Sequence, residues 1–109
     1  MDHPLNPVTV SEAARWSDEK MGKATLFRSE RLMLGLNAFE PGQEHAAHSH
    51  EGADKSYLVL QGRGSFSLGD DTHHLGPGEL LVAPAGVPHG VANDGDDRLL
   101  VFVAMAPAP

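Results

Sequence analysis

The chain has 109 residues, 40% of them hydrophobic, and a formal charge of −7 from fifteen acidic against eight basic side chains. That length suits one domain with one core, and an acidic chain without a basic run has little to offer nucleic-acid phosphates or an anionic membrane. It has no cysteine, which excludes disulfides, thiolate metal ligands and thiol nucleophiles. No segment approaches the roughly 20 apolar residues of a membrane span. The opening stretch Met1 to Val10 contains prolines and no apolar run, so no secretory signal is expected and a cytoplasmic protein is. Seven histidines are the compositional feature that points to metal or acid–base chemistry.

In chain order, residues 1–23 read as an extended arm with one short helical turn, Ser11 to Trp16, Ser11 being its expected N-cap. Val8, Val10 and Trp16 are its apolar residues, available to pack on the domain or on a second subunit. From Ala24 the pattern becomes one of strands. Ala24 to Ser29 and Arg31 to Phe39 are apolar-rich, and Glu40-Pro41-Gly42 ends the run in a turn. Ser56 to Leu60 is a further strand, closed by Gln61-Gly62-Arg63-Gly64. Ser65-Phe66-Ser67-Leu68 alternates strictly, as a half-buried strand does, and Gly69-Asp70-Asp71 turns it back into Thr72 to Leu75. Glu79 to Val82, His89 to Ala92 and Arg98 to Ala106 follow, each bounded by glycine, proline or acidic turns, and 107–109 reads as a frayed tail. Short strands at this regular spacing, with twelve glycines and eight prolines between and around them, predict an all-β sandwich or barrel over 24–106.

Two stretches carry the chemistry. In Gly42-Gln43-Glu44-His45-Ala46-Ala47-His48-Ser49-His50, residues two apart on a strand share a face, so His48 and His50 present both imidazoles to one centre. The second stretch runs from Gly78 through Pro84, Gly86 and Pro88 to His89, with Asn93 beyond it. Each passes from a glycine through a short strand or loop to histidine, an internal echo that a barrel with pseudo-twofold symmetry would turn into proximity.

These residues resemble the two motifs of the cupin family. Gly42, His48, His50 and Gly62 are similar to the first motif, and Gly78, Pro84, Gly86, His89 and Asn93 match the second. The resemblance covers about Ala24 to Met105. It implies a double-stranded β-helix, or jelly-roll barrel, commonly a homodimer, holding a metal in the barrel mouth. Carried over residue by residue, the implied ligands are His48, His50 and His89. The glutamate that usually completes the set is absent, and Lys55 stands in its place. A protonated lysine about 6 Å from a dication would repel it by roughly 5 kcal/mol at an effective dielectric near 20. Three arrangements relieve this. Lys55 turns to solvent and leaves a three-histidine site; Asp54 takes the vacant position through a bulge; or the pocket binds an anion and no metal.

Plainer readings apply to several neighbours. His45, three residues from His48, is expected to face away along a strand, as an exposed loop residue. His73 and His74 are adjacent and split between two faces, and His3 lies in the arm. Lys55 reads more readily as a solvent-facing strand lysine than as a catalytic base, yet it is a pocket candidate together with Tyr57, which shares its face, and Phe66 and Phe102 suit plain core or pocket wall. Asn93 is expected to tie the turn before His89. A three-histidine site suits Zn, Fe, Mn, Ni or Cu and leaves positions open for a small-molecule ligand. The functional expectation is a metal-dependent oxygenase, isomerase or decarboxylase acting on a small organic acid or carbonyl compound. The alternative is a non-catalytic small-molecule or anion-binding module. No nucleic-acid or membrane partner is expected.

Overall fold

A computed structural model describes residues 6–109; the first part of the arm, with His3, lies outside the described residues. A short helix, α1 (Val10–Ala13), precedes nine strands: β1 (Gly22–Arg28), β2 (Met33–Phe39), β3 (Glu44–His48), β4 (Asp54–Gln61), β5 (Gly64–Leu68), β6 (Asp71–Leu75), β7 (Leu80–Ala83), β8 (His89–Ala92) and β9 (Leu99–Ala106). They form two antiparallel sheets, one ordered β1-β2-β9-β4-β7 and the other β3-β8-β5-β6. The expected all-β jelly-roll architecture, a double-stranded β-helix, is the fold observed. No helix among the described residues is long and apolar enough to cross a membrane.

Alternation within the central strands decides what faces the barrel interior. On β9, Leu99, Val101, Val103 and Met105 point inward and join Phe39, Tyr57, Val59, Phe66 and Val91 in the main core. Leu100 and Phe102, between them, point outward and pack with Leu36, Ala38, Val10, Ala13 and Trp16. The N-terminal segment therefore covers the outer face of the five-stranded sheet with Val10 and Trp16, while Val8 stays exposed. The Arg98 guanidinium stacks 4.5 Å from the Trp16 ring and forms a two-pronged ion pair with Glu40, both contacts at 3.1 Å. The helical turn begins two residues earlier than expected: Thr9, not Ser11, is the N-cap, with no side-chain hydrogen bond, and Ser11 lies inside the helix.

Two glycines are required by geometry. Gly62 adopts φ +78°, and a Cβ there would lie 2.1 Å from the Arg98 carbonyl oxygen, so the turn after β4 closes only without a side chain. At Gly90 on β8 a Cβ would meet the backbone of His45 and Ala47 at 2.9 Å, which lets β3 lie tightly over β8. Asn93 is buried and donates from Nδ2 to Phe39 O (3.0 Å) and Asp97 O (2.8 Å), while its Oδ1 accepts from Gly95 N. It thus ties the acidic turn that follows it to the end of β2, and not the turn before His89.

Candidate metal centre

The four-stranded sheet supplies the histidines. β3 and β8 pair antiparallel with His48 opposite His89, so the two imidazoles meet across the ladder, ring centroids 4.5 Å apart. His50 follows β3, with its ring 4.8 Å from that of His48 and 5.5 Å from that of His89. The loop before β8 is held against this segment by Gly86 N, which donates to His50 O at 2.9 Å. One candidate ligand atom from each of His48, His50 and His89 lies within 4.8 Å of the others.

Backbone carbonyls fix the tautomers of two of them. His48 Nδ1 lies 2.9 Å from Ala46 O, and His89 Nδ1 lies 2.9 Å from Val87 O. A carbonyl only accepts, so each Nδ1 carries a hydrogen and each neutral ring keeps its lone pair on Nε2, an orientation typical of metal-binding histidines. His89 is 1% exposed, and its Nε2 is buried without a hydrogen-bond partner. Burial lowers the pKa values of His89 and His50, and neighbouring His48 and Lys55 charges lower them further. This donor set therefore fits a borderline metal ion.

The five-stranded sheet supplies the opposing wall. Lys55 lies on β4, paired with Ala83 of β7 on one side and Met105 of β9 on the other. It points inward with Tyr57 and Val59 and is only 5% exposed. Of the two orientations open to Lys55, the solvent-facing one is not observed: inward alternation from Val59 through Tyr57 places Lys55 on the interior face, in the lining of the cavity. Its ammonium lies 5.0 Å from the Tyr57 ring centroid. Burial, followed by the charge of Lys23, lowers its pKa to about 8. Asp54, one residue earlier, is exposed on the other face, and its carboxylate accepts from Ala85 N at 2.9 Å. It is not part of the histidine cluster. Tyr57 is completely buried beneath the site, edge-on to His89 and Phe66, with its hydroxyl unpartnered and its pKa raised by burial.

His45 is the residue that sequence spacing misplaces. β3 shifts register against β8 between His45 and His48, and this bulge cancels the alternation that would have turned His45 away. Its ring lies 4.4 Å from that of His48, and its Nδ1 is buried without a partner. Burial first, then Lys23, brings its pKa down to about 4, so it is neutral near pH 7. His73 and His74 are both exposed on the edge strand β6, where His74 Nδ1 pairs with Ser65 Oγ at 3.0 Å.

Between the two walls lies a cavity of about 230 Å³, lined by His45, His48, His50, Lys23, Lys55 and Asn37 together with the apolar side chains of Met33, Val103 and Met105. No carboxylate side chain lines it. Pro109 also reaches its wall, and the Pro109 oxygen accepts a hydrogen bond from the Arg28 guanidinium. An acidic protein thus encloses a locally basic cavity.

Comparison with known proteins agrees with this architecture. The Cupin domain family profile matches residues 35–105, a span that includes both glycine-to-histidine stretches. The chain is a cupin. A crystal structure of a Thermus thermophilus protein is 40% identical and superimposes with a TM-score of 0.93, over 96% of this cupin and 100% of that chain. An RmlC-like cupin from Desulfovibrio desulfuricans is 32% identical, with a TM-score of 0.83 over 95% of this chain and 98% of its own. An uncharacterized protein of Streptomyces coelicolor is 30% identical over 80 residues, which cover 73% of this cupin and 74% of that protein.

Proposed function

We propose that this cupin binds a divalent transition metal through His48, His50 and His89 and acts on a small organic acid or carbonyl compound held in the adjoining cavity. The carrying observation is His89, whose Nδ1 is committed to Val87 O while its buried Nε2 has no partner. A buried acceptor left unsatisfied is costly, and a metal ion would relieve that cost. A bound Zn, Fe, Mn, Ni or Cu ion would supply Lewis acidity toward a ligand carbonyl, or oxygen chemistry where it is redox-active.

The chain's own residues account for the ligand class. Lys55 and Lys23 attract a carboxylate, Asn37 offers an amide for hydrogen bonding, and Val103 and Met105 exclude water from one side. The cavity falls below the roughly 300–1,000 Å³ of sites for drug-sized ligands, which suits a compound of a few carbons. An oxygenase, isomerase or decarboxylase reaction fits this combination. The test is turnover by the metal-reconstituted protein on a panel of keto acids, diketones and thiols. Conversion of a carboxylate-bearing member is expected; a metal-loaded protein inert toward the whole panel would leave only binding.

A second reading is a non-catalytic module for a small molecule or anion. It is favoured by Lys55, whose inward ammonium stands where a carboxylate would help hold the metal. Retained metal discriminates between the two readings. A homodimer belongs to the first reading, supported by the exposed Leu80 and Val82 on the edge strand β7. A sedimentation mass near 11.6 kDa would refute it.

A further inference from the structure

Lys55 lacks the partners that ordinarily hold a buried ammonium. It is 5% exposed, no carboxylate side chain lines its cavity, and no ion pair or hydrogen bond engages it among the described residues. The titratable side chains sharing its cavity are Lys23, His45, His48 and His50, which are cationic or neutral. Its one specific contact is the face of Tyr57. Such a position serves stability poorly, since a buried unpaired charge is costly. It suits a nucleophile, because desolvation and a neighbouring cation are the two means by which proteins hold a lysine as the free amine.

We propose that Lys55 captures carbonyl compounds covalently, its Nζ condensing with the C=O of a small oxo acid or aldehyde to give an imine. In the first step the Nζ lone pair attacks the carbonyl carbon; a C–N bond forms, and the carbonyl oxygen takes up a proton to become a hydroxyl. In the second step that hydroxyl leaves as water, the nitrogen gives up its remaining proton, and the C=N bond closes. Amine and carbonyl are converted to imine and one water, with no oxidant or reductant consumed. Lys23, exposed on β1 at the edge of the same cavity, offers an ammonium to the carboxylate of an oxo acid. The lowered pKa of Lys55, about 8, agrees with an amine partly free near neutrality. This chemistry does not involve the metal and stands apart from the metal-binding proposal.

The chain has only three lysines, Lys20, Lys23 and Lys55, so site selectivity is directly readable. Protein as purified, and again after chelator treatment, is incubated near pH 7 with pyruvate and sodium cyanoborohydride, and the alkylated lysines are located by peptide mass spectrometry. Selective reaction of Lys55, at least about tenfold faster than Lys20 and Lys23 in either state, is the expected result. Labelling of Lys55 no faster than exposed Lys20 in both states overturns the proposal. The comparison is internal to the wild-type chain, so it does not depend on a variant folding. Loss of metal binding with labelling intact would remove the metal proposal and leave this one standing.

Discussion

The two walls of the cavity follow the same rule of strand alternation and arrive at opposite chemistry. On the four-stranded sheet, His48 and His89 are oriented by their own neighbouring carbonyls and keep Nε2 lone pairs that suit a cation, that of His89 being buried. On the five-stranded sheet, Lys55 is buried by its position on β4, beside central β9, and presents a cation that wants an anion or a carbonyl carbon. One wall is prepared by hydrogen bonds and the other by desolvation. The difference shows how a single barrel can set a cluster of imidazoles against an amine with no carboxylate side chain lining the cavity between them.

That contrast breaks most severely at His89. His89→Ala should lower metal affinity by at least about 100-fold, measured by competition with a chelating dye. An unchanged affinity would mean the histidine wall is not the metal site. Lys55→Glu should act in the opposite direction and tighten metal binding about 30-fold, by replacing repulsion with a ligand carboxylate. Indifference of the metal to this change would show that the lysine wall does not reach it.

Lys55→Met removes the buried charge and should stabilise the fold by about 2 kcal/mol at pH 7, read from urea unfolding. The same variant isolates a pH effect. Lys55 releases its proton near pH 8 in the folded chain and near 10.5 in the unfolded one. Between those values the unfolded chain binds more protons, so this residue makes stability rise with pH; below them both states are charged and its burial cost stands in full. The wild-type stability deficit relative to Lys55→Met should therefore shrink from pH 8 toward pH 10, and a constant deficit would contradict a buried ammonium. The smallest effect is expected at Tyr57, whose hydroxyl is buried without a partner. Tyr57→Phe should be neutral or stabilising by up to about 1 kcal/mol, and a large loss of stability would reveal a hidden hydrogen bond.

Much of the barrel is legible in the sequence because its strands obey the period of two and its turns carry glycine and proline. Phe66 alternates as expected, and the family resemblance brings His89 to His48 across two strands distant in sequence. Alternation cannot place His45, because a bulge is a backbone irregularity that no one residue type marks. Lys55 stands out in the motif, but a lysine is expected outside on general grounds; only its register between Ala83 and Met105 fixes it inside. Asp54 is exposed and its carboxylate accepts from Ala85 N in the turn after β7, a contact that spacing does not reveal. The helix start at Thr9 is legible in Thr9 and in Glu12 three residues on, but Ser11 two residues later is an equally good N-cap by residue type, and residue type alone does not choose between them.

The central claim is that His48, His50 and His89 hold a metal despite the lysine opposite them. Its most direct measurement is elemental analysis of the purified chain after incubation with each candidate metal and removal of the excess. About one equivalent of a transition metal per chain, lost in His89→Ala, is the predicted result. Less than about a tenth of an equivalent of any of them would contradict the account.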